Sequence, residues 1–588
     1  QMCIRDSYTQ ILIDSRPIFS ALSGVYGLEQ IPANMIERVE VMRGGGSALF
    51  GSSAIAGTIN IITKEPLRNS GQLAHTITSI GGSSSFDNNT SLNASLVTDD
   101  HRAGLYVFGQ NRHRDAYDHD GDGYSEMPKL KNQTVGFRSF LKTSTYSKLT
   151  FEYHHLQEFR RGGNMLNRPP HEADIAEQIQ HSINGGGLKF DYFAPNEKHR
   201  LTLYTSAQHT DRDSYYGSKK DLNAYGKTTD LTFIGGSQYV YSFDKCLFMP
   251  ADLTAGLEYN RDNLKDDMWG YNRYTRQTVN IGSAFFQNEW KNEKWSILLG
   301  GRLDKHNLIN HVIFSPRANL RFNPTQDVNL RLSYSSGFRA PQAFDEDLHI
   351  ENVGGTVSMI ERAKNLKEEK SQSFSASADM YHRFGAFQVN FLVEGFYTKL
   401  SDVFVLENIG VRDGILIKER RNGSGAKVLG LSMEGKMAYL SLFQLQAGVT
   451  LQQSRYDEPE KWSETAPAQK KIFRTPNTYG YFTATYTPVK PLSVSLSGTY
   501  TGSMLVQHMA GYIKNDIAVN TRDFFDMGVK LAYDFKLYKT IGLQLSAGVQ
   551  NVFNAYQNDF DQGVERDSGY IYGPAAPRSY FAGVKISY

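Results

Sequence analysis

The chain has 588 residues, with 63 Lys and Arg against 61 Asp and Glu, a formal net charge of +2. That balance provides no global field for gripping a phosphate backbone, so no nucleic-acid partner is expected. No stretch approaches the ~20 apolar residues of a membrane-crossing helix, and two cysteines, Cys3 and Cys246, exclude a disulfide scaffold, a cysteine-rich zinc centre and an iron–sulfur centre.

Residues 1–7 fit no pattern that follows and read as a non-native edge. Ile11-Leu12-Ile13-Asp14 reads as a buried strand, followed by a turn at Pro17. Pro32 suits the start of a short helix. Val39 and Val41 then alternate with Arg38 and Glu40 as a strand. Gly44 to Gly51 is a glycine-rich loop, and Thr58 to Lys64 is another strand. This first part is a small mixed α+β unit.

From about residue 70 to the end one texture repeats. Leu201 and Leu203 open one alternating run. Val328, Leu330, Leu332 and Tyr334 alternate with Asn329, Arg331 and Ser333. Val494, Leu496 and Tyr500 lie opposite Ser493, Ser495, Ser497 and Thr499. Leu543, Leu545, Ala547 and Val549 alternate with polar or small neighbours. Period two is the strand signal. Some connections are tight, as at Ala194-Pro195-Asn196-Glu197 and Asn323-Pro324-Thr325-Gln326. Others are long and polar, around 111–133, 155–185, 341–371 and 454–475. Ala173 to Gln180 reads as a small loop helix.

Short turns on one rim and long loops on the other describe an outer-membrane barrel. Only every second residue of such a strand faces lipid, so a mean hydropathy of −0.45 is compatible with a membrane. The last strand would turn Tyr580, Ala582, Val584, Ile586 and Tyr588 outward. A propeller would repeat a blade signature, and none is visible. The 34 Tyr and 52 Gly fit interfacial girdles, binding loops and tight turns. The expected fold is an all-β transmembrane barrel.

The run from Pro32 to Lys64 resembles the end of the plug domain of TonB-dependent outer-membrane transporters. Ile36-Glu37-Arg38-Val39-Glu40-Val41, Arg43-Gly44, Leu49-Phe50-Gly51 and Asn60-Ile61-Ile62-Thr63-Lys64 stand in the family order, with Gly45 where the family often has Pro. Gly337-Phe338-Arg339-Ala340-Pro341 resembles a family box at a strand end. Asn365-Leu366-Lys367-Glu368-Glu369-Lys370-Ser371 resembles another, with Glu368 where Pro is usual. Asn551-Val552-Phe553-Asn554 and Pro577-Arg578 precede the last strand as in the family. The resemblance implies about 22 antiparallel strands over residues 67–588, after the C-terminal part of an α+β plug at 1–66.

The resemblance further implies active import of a scarce ligand across the bacterial outer membrane: a ferric siderophore, haem or cobalamin. Its expected partners are TonB, reached through a segment missing from this chain, a small-molecule metal chelate as substrate, the surrounding outer-membrane lipids and a surface substrate-binding lipoprotein. A passive porin or channel is the alternative, and it should lack a plug. No resident cofactor is required, and no catalytic constellation stands out, so no enzyme is expected.

Three sets of residues are candidates for function. The resemblance implies plug arginines paired with barrel glutamates. Arg38 and Arg43, with Glu37 and Glu40, are the plug charges, and Glu394 and Glu434 the barrel partners; Ser432 stands where the family often has Glu. Asp118-His119-Asp120-Gly121-Asp122-Gly123 fits the start of a calcium loop, but position twelve is Lys129. Glu126 is the substitute ligand, so Asp118, Asp120, Asp122 and Glu126 are the expected calcium set; a solvated acidic loop is the plainer reading. His349 lies between the two barrel boxes, which resembles the loop histidine of haem transporters. The Gly44 to Gly51 loop lacks the Lys-Ser/Thr of a phosphate cradle.

Overall fold

The computed structural model describes residues 8–17, 31–43, 51, 54–55, 57–348, 351–353 and 356–588, with backbone alone at 17, 43, 345–346, 351–353 and 356. Twenty-two wall strands, from Ser70–Ser79 to Ser579–Ser587, form a closed antiparallel barrel. The short strand Gln469–Lys471 joins at the rim. Closure comes from pairing the last strand with the first, Val584 opposite His75. No backbone edge is left for lipid to meet, which is the condition a bilayer imposes. Among the described residues no helix is long and apolar enough to cross a membrane.

The alternation read from the sequence is the barrel's inside and outside. Tyr580, Val584, Ile586 and Tyr588 are all exposed on the outer wall. Between Leu543 and Val549 the leucines also point outward. Short turns join strands on one rim, as at 144–147 and 194–198, and long loops join them on the other.

Several strands are longer than expected. Ser125–Ser144, Ser147–Gly163 and Ile175–Phe193 occupy much of what read as loops at 111–133 and 155–185. Polar composition did not end them, because the partner strands keep pairing and the inward side chains satisfy one another. Asn132 and Glu158 are cross-strand partners, and Asn132 Nδ2 donates to Glu158 at 2.9 Å. A bilayer needs about ten residues per strand, so these strands rise beyond it on the long-loop side. The helix expected over Ala173 to Gln180 is corrected for the same reason. One 3-10 turn, Pro170–Glu172, precedes a strand whose Gln178 pairs with Arg161 and Tyr215. A lone helix of that length cannot compete with two strand neighbours.

Inside the barrel lies a four-stranded mixed sheet in the order Arg16–Pro17, Thr9–Ile13, Gly57–Thr63, Ile36–Arg43. Thr9–Ile13 runs parallel to Gly57–Thr63, and the other pairs are antiparallel. The helix expected after Pro32 is a single 3-10 turn, Ala33–Met35. Met35 packs with Tyr106 and Phe108 of the wall, and the Tyr106 hydroxyl donates to the Asn34 carbonyl at 2.7 Å. Residues 64–69 connect this plug sheet to the first wall strand on the short-turn rim.

Candidate functional site

The plug is fastened to the wall by charge. Arg138 on Ser125–Ser144 and Glu152 on Ser147–Gly163 are direct cross-strand partners facing the lumen. Arg16 of the plug pairs with Glu152, and Arg138 pairs with Asp14 of the plug and donates to Thr63. Asp14 is itself held by the Thr63 backbone N–H at 3.0 Å and hydroxyl at 2.6 Å. Arg16 and Arg138 have side chains only 9% and 10% exposed. Enclosed pairs of this kind are largely desolvated and costly to break one partner at a time.

Two features complete this latch. A Cβ at Gly187 would lie 2.4 Å from Arg16 Nη1, so only glycine leaves room for the guanidinium there. Glu65, in the connector, bonds Lys148 at 2.9 Å and Arg138 at 3.2 Å. Burial alone would raise the Glu65 carboxyl, but Lys148 and then Arg138 outweigh it and hold it below the usual carboxylate range.

A second contact joins the two barrel boxes to the plug. Arg339 and Glu369 are cross-strand partners, and Arg339 Nη1 lies 3.4 Å from Glu369. Tyr8 of the plug donates to Glu369 at 2.9 Å, and the Phe404 N–H donates to the same oxygen at 2.5 Å. Arg339 also stacks on the Phe344 ring at 3.7 Å. Both boxes were legible; their meeting around a plug tyrosine was not.

At the long-loop rim the mouth is knitted together. A four-stranded sheet, Glu351–Val353, Thr356–Arg362, Ile415–Asn422 and Phe404–Arg412, joins two loops. Its Met359 and Ile417 pack on Ile179, Tyr216 and Met268 of other wall strands. The loop at 551–578 is tied elsewhere. His508 stacks on Tyr570 at 3.7 Å and bonds Asp561 at 2.9 Å. Below the mouth is a cavity of about 2160 Å³. Tyr124, Arg160, Tyr216, Trp462, Arg474 and Arg566 are among its lining side chains.

The expected site residues fall out unevenly. Asp118, Asp120 and Glu126 converge, with one carboxylate oxygen of each within 4.8 Å of the others. Asp122 is not in that group; it accepts from the Tyr124 N–H at 2.9 Å and the Gly563 N–H at 2.9 Å. Glu126 is also engaged by Arg566 at 3.2 Å. His349 lies outside the described residues, as does the Arg43 side chain.

The expected plug–barrel pairs of Arg38 are corrected. Arg38 bonds Glu40 two residues away at 2.8 Å, both well exposed. Ile36–Arg43 is the outer strand of the plug sheet, and its Arg38 and Glu40 meet solvent and each other. Glu37 is exposed on the same strand. Glu394 and Glu434 line the cavity; Glu434 accepts from Tyr481 at 2.8 Å and pairs with Lys436 at 3.2 Å, and the Arg43 side chain expected to meet them lies outside the described residues. A plug arginine paired with a barrel glutamate is found at Arg16 and Glu152. The run Gly185-Gly186-Gly187, opposite the Glu152 region, was the sequence signal that could have pointed there.

A family profile described as "TonB dependent receptor-like, beta-barrel" matches residues 60–552, and one described as "TonB-dependent Receptor Plug Domain" matches residues 2–58. The chain belongs to the TonB-dependent receptor family. Among curated proteins it is similar to the vitamin B12 transporter BtuB of Vibrio vulnificus, 25% identical over 345 residues, covering 57% of this chain and 52% of that one. It is also similar to the iron-regulated outer membrane virulence protein of Vibrio cholerae, 26% identical and covering 57% of this chain and 50% of that one. This receptor thus spans about half the length of the curated relatives it matches. In fold it resembles the siderophore receptor PirA of Acinetobacter baumannii, with a TM-score of 0.80 at 18% identity over 100% of this chain and 92% of that one. The ferric enterobactin receptor PfeA of Pseudomonas aeruginosa gives 0.79 at 17% identity, over 99% and 91%. The plugged 22-stranded barrel is that of the family, and its location is the bacterial outer membrane.

Proposed function

We propose that this receptor actively imports a scarce metal chelate, a ferric siderophore, haem or cobalamin, through TonB-driven rearrangement of its plug. The carrying observation is the plug sheet latched inside the barrel through Asp14, Arg16, Arg138 and Glu152. A lumen with a fastened plug favours gated import over a passive porin. The cavity exceeds the ~300–1,000 Å³ of an ordinary small-ligand pocket. Its tyrosine, tryptophan and arginine lining suits a bulky chelate with aromatic or anionic faces. TonB is the proposed partner on the short-turn side, and a surface lipoprotein that hands over substrate is a second. The reading is of a transporter rather than an enzyme. The test is growth of a receptor-deficient strain on single iron or cobalamin sources, rescued by the full-length protein. Rescue on one source that disappears without TonB is expected; rescue independent of TonB would favour the porin.

Two finer readings belong with it. Asp118, Asp120 and Glu126 are proposed to bind calcium and order the loop at 115–124; calorimetry without a calcium signal would end this. His349 is proposed as a haem ligand only if haem is the substrate, and His349→Ala with unchanged haem binding would remove it.

A further inference from the structure

Every second row of cross-strand partners in a barrel presents one line of side chains to lipid, and the rows between face the lumen. One such row crosses Phe387–Ser401, Ala426–Tyr439, Phe443–Glu460 and Gln469–Lys471. Lys399 stands opposite Lys427, Lys427 opposite Arg455, and Arg455 opposite Lys471. All four are exposed. Their chain neighbours Leu400, Ala426 and Tyr456 are buried and line the lumen, so the four cations point outward.

Like charges in direct register repel and weaken a sheet. Among the described residues one ion pair relieves this row, Lys427 with Asp457 at 2.7 Å. Toward the membrane centre the same strands turn Tyr397, Leu429, Leu431 and Leu451 outward, each more than a third exposed. Toward the long loops the strand Phe387–Ser401 ends two residues after Lys399. The row therefore stands where the apolar wall gives way to the headgroup layer, on the long-loop side. Its four side chains span three interstrand steps, about 14 Å.

We infer that this row binds the phosphate groups of a phosphorylated lipid in the outer leaflet. Charge complementarity selects the anionic headgroup, and the adjoining apolar wall receives its acyl chains. A headgroup with more than one phosphate bridges neighbouring cations and removes the repulsion that the chain leaves in place.

The experiment uses the purified protein in neutral detergent, with lipid A (a doubly phosphorylated glycolipid) as the probe. Native mass spectrometry should show lipid A retained by the unaltered protein. K399Q or R455Q should each weaken retention about fivefold, and K399Q/K427Q/R455Q/K471Q should abolish it. Without lipid K399Q/R455Q/K471Q, which keeps the Lys427–Asp457 pair, should melt no lower than the unaltered protein, since it loses a repulsion. Added lipid A should raise the melting temperature of the unaltered protein alone. Equal retention by both proteins overturns the proposal. So does displacement by inorganic phosphate at the concentration of the lipid, which would mean that the lipid is not recognised.

Discussion

The latch around Arg16 and the row around Lys427 use the same residue types on the same kind of strand, with opposite outcomes. The latch faces the lumen, is nearly dry, and has each cation matched to a carboxylate from the other domain. The outer row faces lipid and solvent, and is matched by a single aspartate. Which side of the period-two alternation a charge falls on decides this. An inward charge must be paired within the chain, because burying it alone costs too much. An outward charge at the headgroup level can leave its partner to the membrane.

The sharpest way to break this contrast is Glu152→Ala. It leaves Arg16 and Arg138 enclosed with one carboxylate fewer, and losing one partner of a buried pair costs about 3–5 kcal/mol. Hydrogen exchange at residues 9–17 and 57–63 should speed up, and liposomes carrying the variant should leak small solutes. Unchanged exchange would mean that the plug is held elsewhere.

Gly187→Ala tests the same latch without touching a charge. Its Cβ would lie 2.4 Å from Arg16 Nη1 and 3.0 Å from the Thr205 carbonyl. Overpacking of this kind costs about 1–3 kcal/mol, so leakage should rise less than with Glu152→Ala. A silent Gly187→Ala would show that Arg16 has another rotamer available.

Acid offers a graded version. Glu65 is held below its ordinary value of 4.5. A carboxylate depressed in the folded state stabilises it above the unfolded value, and that contribution is lost as pH falls through the folded one. Leakage should therefore climb as pH drops below about 4.5, and Glu65→Gln should remove that part of the profile. The smallest effect is expected of Arg38→Gln, since an exposed pair is worth about 0–1 kcal/mol. Leakage equal to that of the unaltered protein is the expected reading, and a rise would restore Arg38 to the plug–barrel contact.

Much of the barrel was legible because alternation is a local property. Leu543 to Val549 and Tyr580 to Tyr588 announce their outward faces within a few residues. The upper parts of Ser125–Ser144 and Ile175–Phe193 were not legible. Polar inward positions there look like loop until a paired strand shows that they face a wet lumen. The candidate site was half legible. Arg339 and Glu369 sat in recognisable boxes, but neither box announces Tyr8 as the third member. Asp118, Asp120 and Glu126 were named together and do converge, whereas Asp122 serves the loop at 551–578 instead.

By itself the sequence determined the class: period-two strands, short turns against long loops, and a plug segment ahead of them. Only the tertiary structure decided which charges meet. Arg16 reaches Glu152 across 136 positions of sequence, while Arg38, the more conspicuous candidate, folds back on Glu40. Alternation is written into neighbouring residues. Pairing depends on strand register and on where the plug sheet sits in the lumen, and those are set by the closed barrel as a whole.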